Sequence, residues 1–120
     1  ELSAVTFPDE LRAMQRRVRE VRIEKSVRGY LVDIARATRD HADIELGVSP
    51  RGTLALYRCA QALAAIRGRA YVLPDDVKLL VPYVLGHRIM VSPATRLRGR
   101  ALIDVLIDVV ERVAVPVETV

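Results

Sequence analysis

The residues with the clearest capacity for chemistry are Ser49, Pro50 and Arg51, which stand together at a predicted helix start. Serine suits the N-cap, and proline suits the first helical position. Arg51 then falls in the first turn, where a cation is locally unfavourable because the helix N-terminus already carries partial positive charge. Free backbone N–H groups, the helix dipole and a forked guanidinium together favour an anion, so this turn is predicted to bind a phosphate.

Two other interpretations of Arg51 stay open from the residues alone. The guanidinium could pair with a carboxylate of the same chain, or it could point into water as many surface arginines do. The net charge is +4, and seventeen of the nineteen basic residues are arginines. This excess of arginine favours planar, bidentate contact with phosphates and carboxylates over simple point charge.

The composition indicates one helical domain in a reducing compartment. The chain has 120 residues, of which 51% are apolar and only 4% aromatic, so its core must be aliphatic. A single cysteine, Cys59, excludes an intramolecular disulfide and a thiolate zinc cage, and no metal site is predicted. No apolar run reaches the length of a membrane span and no signal-peptide pattern opens the chain, so we expect a cytoplasmic protein.

Apolar residues recur at helical spacing and predict an all-α bundle of about five helices. The segment from Leu54 to Ile66 is apolar almost all round, which is typical of a buried central helix. At most a minor two-stranded ribbon is expected, from Ala70–Leu73 and His87–Val91. The other stripes, in chain order, are Leu11, Met14, Val18 and Val21; Val27, Tyr30, Leu31, Ile34 and Ala35; Val77, Leu80, Val81, Val84 and Leu85; and Leu102, Val105, Leu106, Val109 and Val110.

Three blocks between Tyr30 and Ile89 resemble the C-terminal lid of MoxR-family AAA+ ATPases. They keep the order and spacing of that family and cover about half the chain. The middle block is the most specific, because a Ser-Pro-Arg helix start is followed there by a long matching stretch. The blocks read YLVDIARATRDH, LGVSPRGTLALYRCAQALAAIRGRAYVLPDDV and VLGHRI.

The resemblance implies a role for Arg51 as the sensor-2 arginine, which reaches from the lid to the phosphates of ATP and stabilises charge on the γ-phosphate. Ser49 and Pro50 would belong to the same nucleotide-binding site. Apolar side chains of the preceding helix, Tyr30 or Ile34, would contact the adenine, although both also suit a plain core role. Thr38 and Arg39 match a family Thr-Arg pair, in which the arginine is expected to cap its own helix or to contact the neighbouring domain.

The resemblance also implies that this sequence is part of a larger enzyme. It contains no GxxxxGK[ST] phosphate loop, so ATP and its Mg²⁺ would be held by a preceding nucleotide-binding domain, and the lid alone is expected to be inactive and free of nucleotide. Residues 1–8 are then predicted to be the linker from that domain, residues 9–115 the lid, and residues 116–120 a C-terminal tail.

The implied function is closure over ATP, which couples hydrolysis to chaperone-like remodelling of partner proteins. The implied partners are the nucleotide-binding domain, neighbouring subunits of a hexameric ring, and proteins of the von Willebrand factor A type, with no membrane.

An alternative is a stand-alone module that binds nucleic acid through Arg12, Arg16 and Arg19, although no aromatic accompanies them for stacking. Another is a helical adaptor that holds a partner helix. A run with Arg96, Arg98 and Arg100 is interpreted as solvated surface or a contact with the next subunit.

Overall fold

The structure, a computed structural model, describes residues 1–117 and is built from helices with one small ribbon. The predicted all-α class with a minor two-stranded ribbon is confirmed. None of the helices in the described range is both long and apolar enough to span a membrane. The elements are α1 (Pro8–Arg19), α2 (Lys25–Asp40), β1 (Ile44–Leu46), α3 (Pro50–Ile66), α4 (Pro74–Leu85), β2 (Met90–Val91), α5 (Pro93–Leu97) and α6 (Leu102–Arg112).

Helix α3 is the centre of the bundle, as its all-round apolar pattern predicts. Its Leu56, Ala60 and Ala64 are 0% exposed, and the helix packs against α1, α2 and α4. Small alanines on this face let the neighbouring helices approach closely, and the core is mostly aliphatic, with Tyr30 as a buried aromatic residue. The stripes predicted for α2, α4 and α6 supply the other apolar side chains that are 0% exposed, namely Ile34, Val77, Val81, Leu85, Val105 and Val109.

Helix α1 starts at Pro8, one residue inside the predicted linker, and it buries none of its residues. It lies against α3 and borders an open, mostly apolar groove of about 700 Å³ that Met14, Val18 and Ile66 help to line. The chain after α1 is held more firmly, because the Gln61 side chain donates to the Val21 carbonyl at 2.9 Å. The predicted tail begins at residue 116, and its residues 118–120 lie outside the described part.

Two predicted details of the smaller elements are wrong. The ribbon pairs β1 with β2 in antiparallel fashion, so His87–Val91 supplies one strand but Ala70–Leu73 does not supply the other. Instead, Tyr71 forms an isolated parallel bridge with Arg22, because the backbone around Arg22 exchanges hydrogen bonds with Ala70 and Val72. Helix α5 falls in a stretch where no apolar stripe predicts a helix. Its N-cap is a serine followed by proline, the same signal that marks the start of α3.

A polar network joins β1 to α5 and to the loop that precedes α6. Asp43 is 8% exposed, and its carboxylate accepts hydrogen bonds from the Thr95 hydroxyl at 2.7 Å and from Arg98 at 2.9 Å. Arg100 also pairs with this carboxylate. The surface interpretation of the arginine run holds in part for Arg98, whose side chain is 64% exposed although it pairs with Asp43, whereas the Arg100 side chain is 36% exposed and binds the same carboxylate. Arg96 is exposed, as predicted.

The same network reaches α6 through the buried His41. Its Nδ1 accepts the backbone N–H of Asp43 at 3.0 Å, so Nε2 carries the ring proton and donates it to Asp108 at 2.6 Å. Asp108 also pairs with Arg112 at 2.9 Å. The end of α2, the ribbon and α6 are thus connected by polar contacts in addition to the aliphatic core.

These carboxylates predict the pH dependence of stability. A hydrogen bond from Thr95, helped by Arg100 and Arg98, lowers the pKa of Asp43, and the hydrogen bond from His41 lowers the pKa of Asp108. A lowered pKa in the folded state means that the folded protein binds fewer protons than the unfolded chain. The stabilisation is therefore complete above the ordinary aspartate pKa of about 3.9 and is lost as the pH falls through the folded values.

The unfolding midpoint should stay level from about pH 7 to pH 5 and fall steeply below about pH 4. Thermal unfolding followed by circular dichroism across this range measures the effect. The Asp43→Asn variant should show a shallower acid dependence, because one of the shifted carboxyls is absent. A midpoint that holds or rises on acidification would contradict the prediction.

Candidate functional site

The start of helix α3 has the cap that the sequence predicts. The Ser49 hydroxyl accepts the backbone N–H of Gly52 at 3.2 Å, and the Ser49 carbonyl accepts the N–H of Thr53 at 3.0 Å. Pro50 occupies the first helical position, where its missing N–H leaves no donor unsatisfied. Ser49, Pro50 and Arg51 are therefore adjacent at an ordered and solvent-accessible helix N-terminus.

Arg51 is exposed in the first turn of α3. Within residues 1–117 its guanidinium has no hydrogen bond and no ion pair, so the intramolecular carboxylate considered above is not seen. No acidic residue lies in the first turn of α3 either. The helix N-terminus and the guanidinium thus add their positive charge at one exposed point, which is the electrostatic condition for binding an anion from outside the lid.

The backbone of Val48, just before the cap, is held on both sides of its Cα by side chains from the last turn of α2. Its N–H donates to the Thr38 hydroxyl at 3.0 Å, and its carbonyl accepts from Arg39 Nε at 3.0 Å. Arg39 was expected to cap its own helix or to contact another domain. That cap is not formed, because its guanidinium reaches the chain leading into α3 instead.

Two glycines allow the close packing around this helix start. A Cβ on Gly47 would lie 2.6 Å from Arg39 Cγ and 2.8 Å from Arg39 Cα, so the loop passes directly against α2. A Cβ on Gly52 would collide with a Val48 methyl group and lie 3.2 Å from Arg88 Cδ. Arg88 is fixed in turn, because its Nε donates to the Val84 carbonyl at 3.1 Å. A side chain at either glycine would push the start of α3 out of place.

The two residues proposed for adenine contact lie in the core. Ile34 is 0% exposed and Tyr30 is 2% exposed, so neither offers surface to a ligand in this structure. The core role that the sequence left open for both is the one that the structure supports. Burial raises the pKa of Tyr30, with a further contribution from Asp75, and its hydroxyl has no hydrogen-bond partner within the described residues.

An apolar groove beside the helix start offers the surface that Tyr30 and Ile34 lack. It has a volume of about 300 Å³ and runs between α2 and α3, with Pro50 on its wall. The apolar stripes do not reveal this groove, because its residues come from two helices and follow neither core stripe closely. The signal available was Leu54, an apolar residue on the α3 face away from the core and 55% exposed. The groove is lined by Arg28, Leu31, Val32, Pro50, Thr53, Leu54 and Tyr57.

Comparisons with known proteins agree with a lid fold. A family model described as the AAA lid domain matches residues 36–104. The chain superposes on the crystal structure of a presumptive ATPase from Cytophaga hutchinsonii with a TM-score of 0.84, over 90% of this chain and 36% of that one. The sequences are 24% identical, so this likeness establishes the fold alone.

Relatives among curated proteins carry the comparison further. The chain is 38% identical to the YeaC protein of Bacillus subtilis, and the match covers 98% of this chain and 37% of that protein. It is 40% identical to the MoxR protein of Paracoccus denitrificans over 69% of its length and 28% of that protein. It is 36% identical to the chaperone MoxR1 of Mycobacterium tuberculosis over 52% of its length and 19% of that protein. The chain thus spans about a third or less of the relatives it matches.

The helical fold and the matched residues define the class: the chain belongs to the AAA lid domain family. More particularly, it is a lid of the MoxR family of AAA+ ATPases, as the sequence blocks around Ser49, Pro50 and Arg51 predict.

Proposed function

We propose that this lid closes over ATP held by a preceding nucleotide-binding domain and contacts the γ-phosphate through Arg51, its sensor-2 residue. The main observation in support of this proposal is the exposed guanidinium at the start of α3, which has no acidic partner within residues 1–117. An arginine at a helix N-terminus is electrostatically unfavourable until an anion arrives. The phosphate would supply that anion, and Arg51 would stabilise charge that develops on it during hydrolysis.

The groove between α2 and α3 supports a place for the base in the same proposal. Pro50, directly before Arg51, lines it, and its surface is mostly apolar although Arg28, Thr53 and Tyr57 are among the lining residues. An aromatic ring suits such a surface, and Tyr57 could stack on it. Leu54 and Tyr57 would then contact the adenine in place of Tyr30 and Ile34, which would shape the groove from beneath.

The activity of the whole protein follows as part of the proposal. ATP and Mg²⁺ would be bound by the preceding domain, the lid alone would be inactive, and hydrolysis would rotate the lid and remodel partner proteins in the cytoplasm. Its partners would be that domain, neighbouring subunits of a hexameric ring, and proteins of the von Willebrand factor A type. The exposed groove between α1 and α3 is a candidate contact surface. Residues 1–7 would be the linker, since α1 already starts at Pro8.

The Arg51→Ala variant of the full-length ATPase tests this function. Losing one charge-assisted hydrogen bond to the transition state should lower ATP turnover by about tenfold to a hundredfold. Ring assembly, measured by size-exclusion chromatography with light scattering, should be unchanged because the Arg51 side chain makes no hydrogen bond or ion pair within the described lid.

The matched control is Arg96→Ala, which removes another exposed arginine without a side-chain contact in the described range. It should keep turnover within about twofold, since surface substitutions away from a site have small effects. Equal turnover in Arg51→Ala and the unmodified enzyme would overturn the sensor-2 role.

A further inference from the structure

We infer that Thr38 and Arg39 act as positioning residues for Arg51, by fixing the backbone of Val48, the residue just before the N-cap of helix α3; this inference rests on the function proposed above. Val48 is 1% exposed and stands three residues before Arg51. Both its backbone groups bind side chains of α2, its N–H to Thr38 and its carbonyl to Arg39. We call this arrangement the Val48 clamp.

In the threonine half of the clamp, the donor and acceptor roles of the Thr38 hydroxyl are fixed. Thr38 is 0% exposed, and its hydroxyl donates its only proton to the Ala35 carbonyl at 2.6 Å. The oxygen can then only accept, and it accepts from the Val48 N–H. A hydroxyl that bridges two backbone groups in a dry site ties the loop to α2 at a defined distance, which a solvated turn would not do.

The arginine half of the clamp acts from the surface. Arg39 is exposed, yet its Nε donates to the Val48 carbonyl at 3.0 Å while Gly47 lies against its backbone and Cγ atom. The cap of α3 does not need this bond, because the Ser49 hydroxyl accepts the Gly52 N–H without it. The clamp therefore adds a constraint on where α3 begins relative to α2, and so on the point from which Arg51 reaches out.

Such a constraint matters for Arg51, because in the proposed function it must reach a phosphate that the preceding domain holds. A displacement of about 1 Å from a productive position can lower a rate by about a hundredfold. Loss of the clamp should therefore act through Arg51, and it should have no further effect once Arg51 is absent. This dependence separates a positioning role from a merely structural one.

The experiment is a double-mutant cycle in the full-length ATPase, with ATP turnover and thermal unfolding measured for each variant. Thr38→Val keeps the shape of the side chain but cannot accept the Val48 N–H, and Arg39→Met keeps the aliphatic stem but removes the guanidinium. Each should lower turnover by about fivefold to twentyfold in the unmodified enzyme and by less than about twofold in the Arg51→Ala background. Thr38→Ser should restore most of the turnover, because it restores the hydroxyl.

The matched control is Arg36→Met, which changes an exposed arginine one turn earlier on α2 without a side-chain contact in the described range. It should leave turnover unchanged. Because Arg39 is exposed, Arg39→Met keeps the test decisive even where Thr38→Val does not fold.

Different results would overturn the proposed function of Arg51 and the positioning role of Thr38 and Arg39. A loss of turnover in Arg51→Ala, combined with no loss in the clamp variants or an equal loss in both backgrounds, would overturn the positioning role alone. Unchanged turnover in Arg51→Ala would overturn the proposed function and the positioning role with it.

Discussion

Replacing Asp76 with alanine is expected to lower the free energy of unfolding by about 3 to 5 kcal/mol, the usual cost of breaking a buried ion pair from one side. Asp76 is 0% exposed, and its two carboxylate oxygens accept from Arg69 at 2.6 and 2.7 Å. One of them also accepts the Leu73 N–H at 2.8 Å. The variant would strand a partly buried guanidinium and a backbone donor at the start of α4.

The measurement is equilibrium unfolding in urea, and Asp75→Ala is the control. Asp75 is the adjacent residue in the same helical turn, but it is exposed and makes no ion pair within the described chain. Its loss should cost only about 0.3 to 1 kcal/mol, the contribution of an acid near a helix N-terminus. Equal losses in the two variants would show that Asp76 contributes through helix nucleation alone.

The Arg51→Glu variant is expected to change stability and activity in opposite directions. An acid in the first turn complements the helix dipole, so the free energy of unfolding should rise by about 0.3 to 1 kcal/mol. The same carboxylate would repel the phosphates of ATP, so turnover of the full-length enzyme should fall by about a hundredfold or more. Urea unfolding and a steady-state ATPase assay measure the two effects.

The opposite changes in stability and turnover make this variant more informative than Arg51→Ala, because a general loss of folding cannot lower activity while raising stability. Arg96→Glu serves as the control for adding a negative charge to the lid surface, and its turnover should stay within about twofold of the unmodified enzyme. A variant Arg51→Glu that is less stable, or that hydrolyses ATP normally, would count against an anion site at the start of α3.

The long helices could be predicted from sequence because each carries its own evidence. Pro8, Pro50 and Pro74 each open a helix, and the stripes in α2, α4 and α6 bury their apolar faces as their spacing indicates. The ribbon partner could not be predicted, because β1 has three residues and β2 has two, which is too short for an alternating pattern. Asp76 shows the same limit, because an acid two residues after Pro74 suits any helix start, whereas its burial and its pairing with Arg69 depend on tertiary packing.

The candidate site was predicted in its local part and missed in its non-local part. The cap by Ser49 and the placement of Pro50 depend on neighbouring residues, so sequence rules reach them. The Val48 clamp joins residues ten positions apart across a loop, and the spacing of Thr38 and Arg39 does not reveal their common target. Burial of Tyr30 and Ile34 depends on how three helices meet, so their stripe could not distinguish core from ligand surface.

The contacts of Asp43 and Asp108 have a mechanical consequence. They join the chain just after α2 to α5 and α6, while the Val48 clamp joins the last turn of α2 to the start of α3. Because both sets of contacts meet at the C-terminal end of α2, we expect α2, α3, α5 and α6 to move together when Arg51 contacts a phosphate. We therefore expect any hinge to lie ahead of α2, so that the lid from α2 to α6 rotates as one rigid unit.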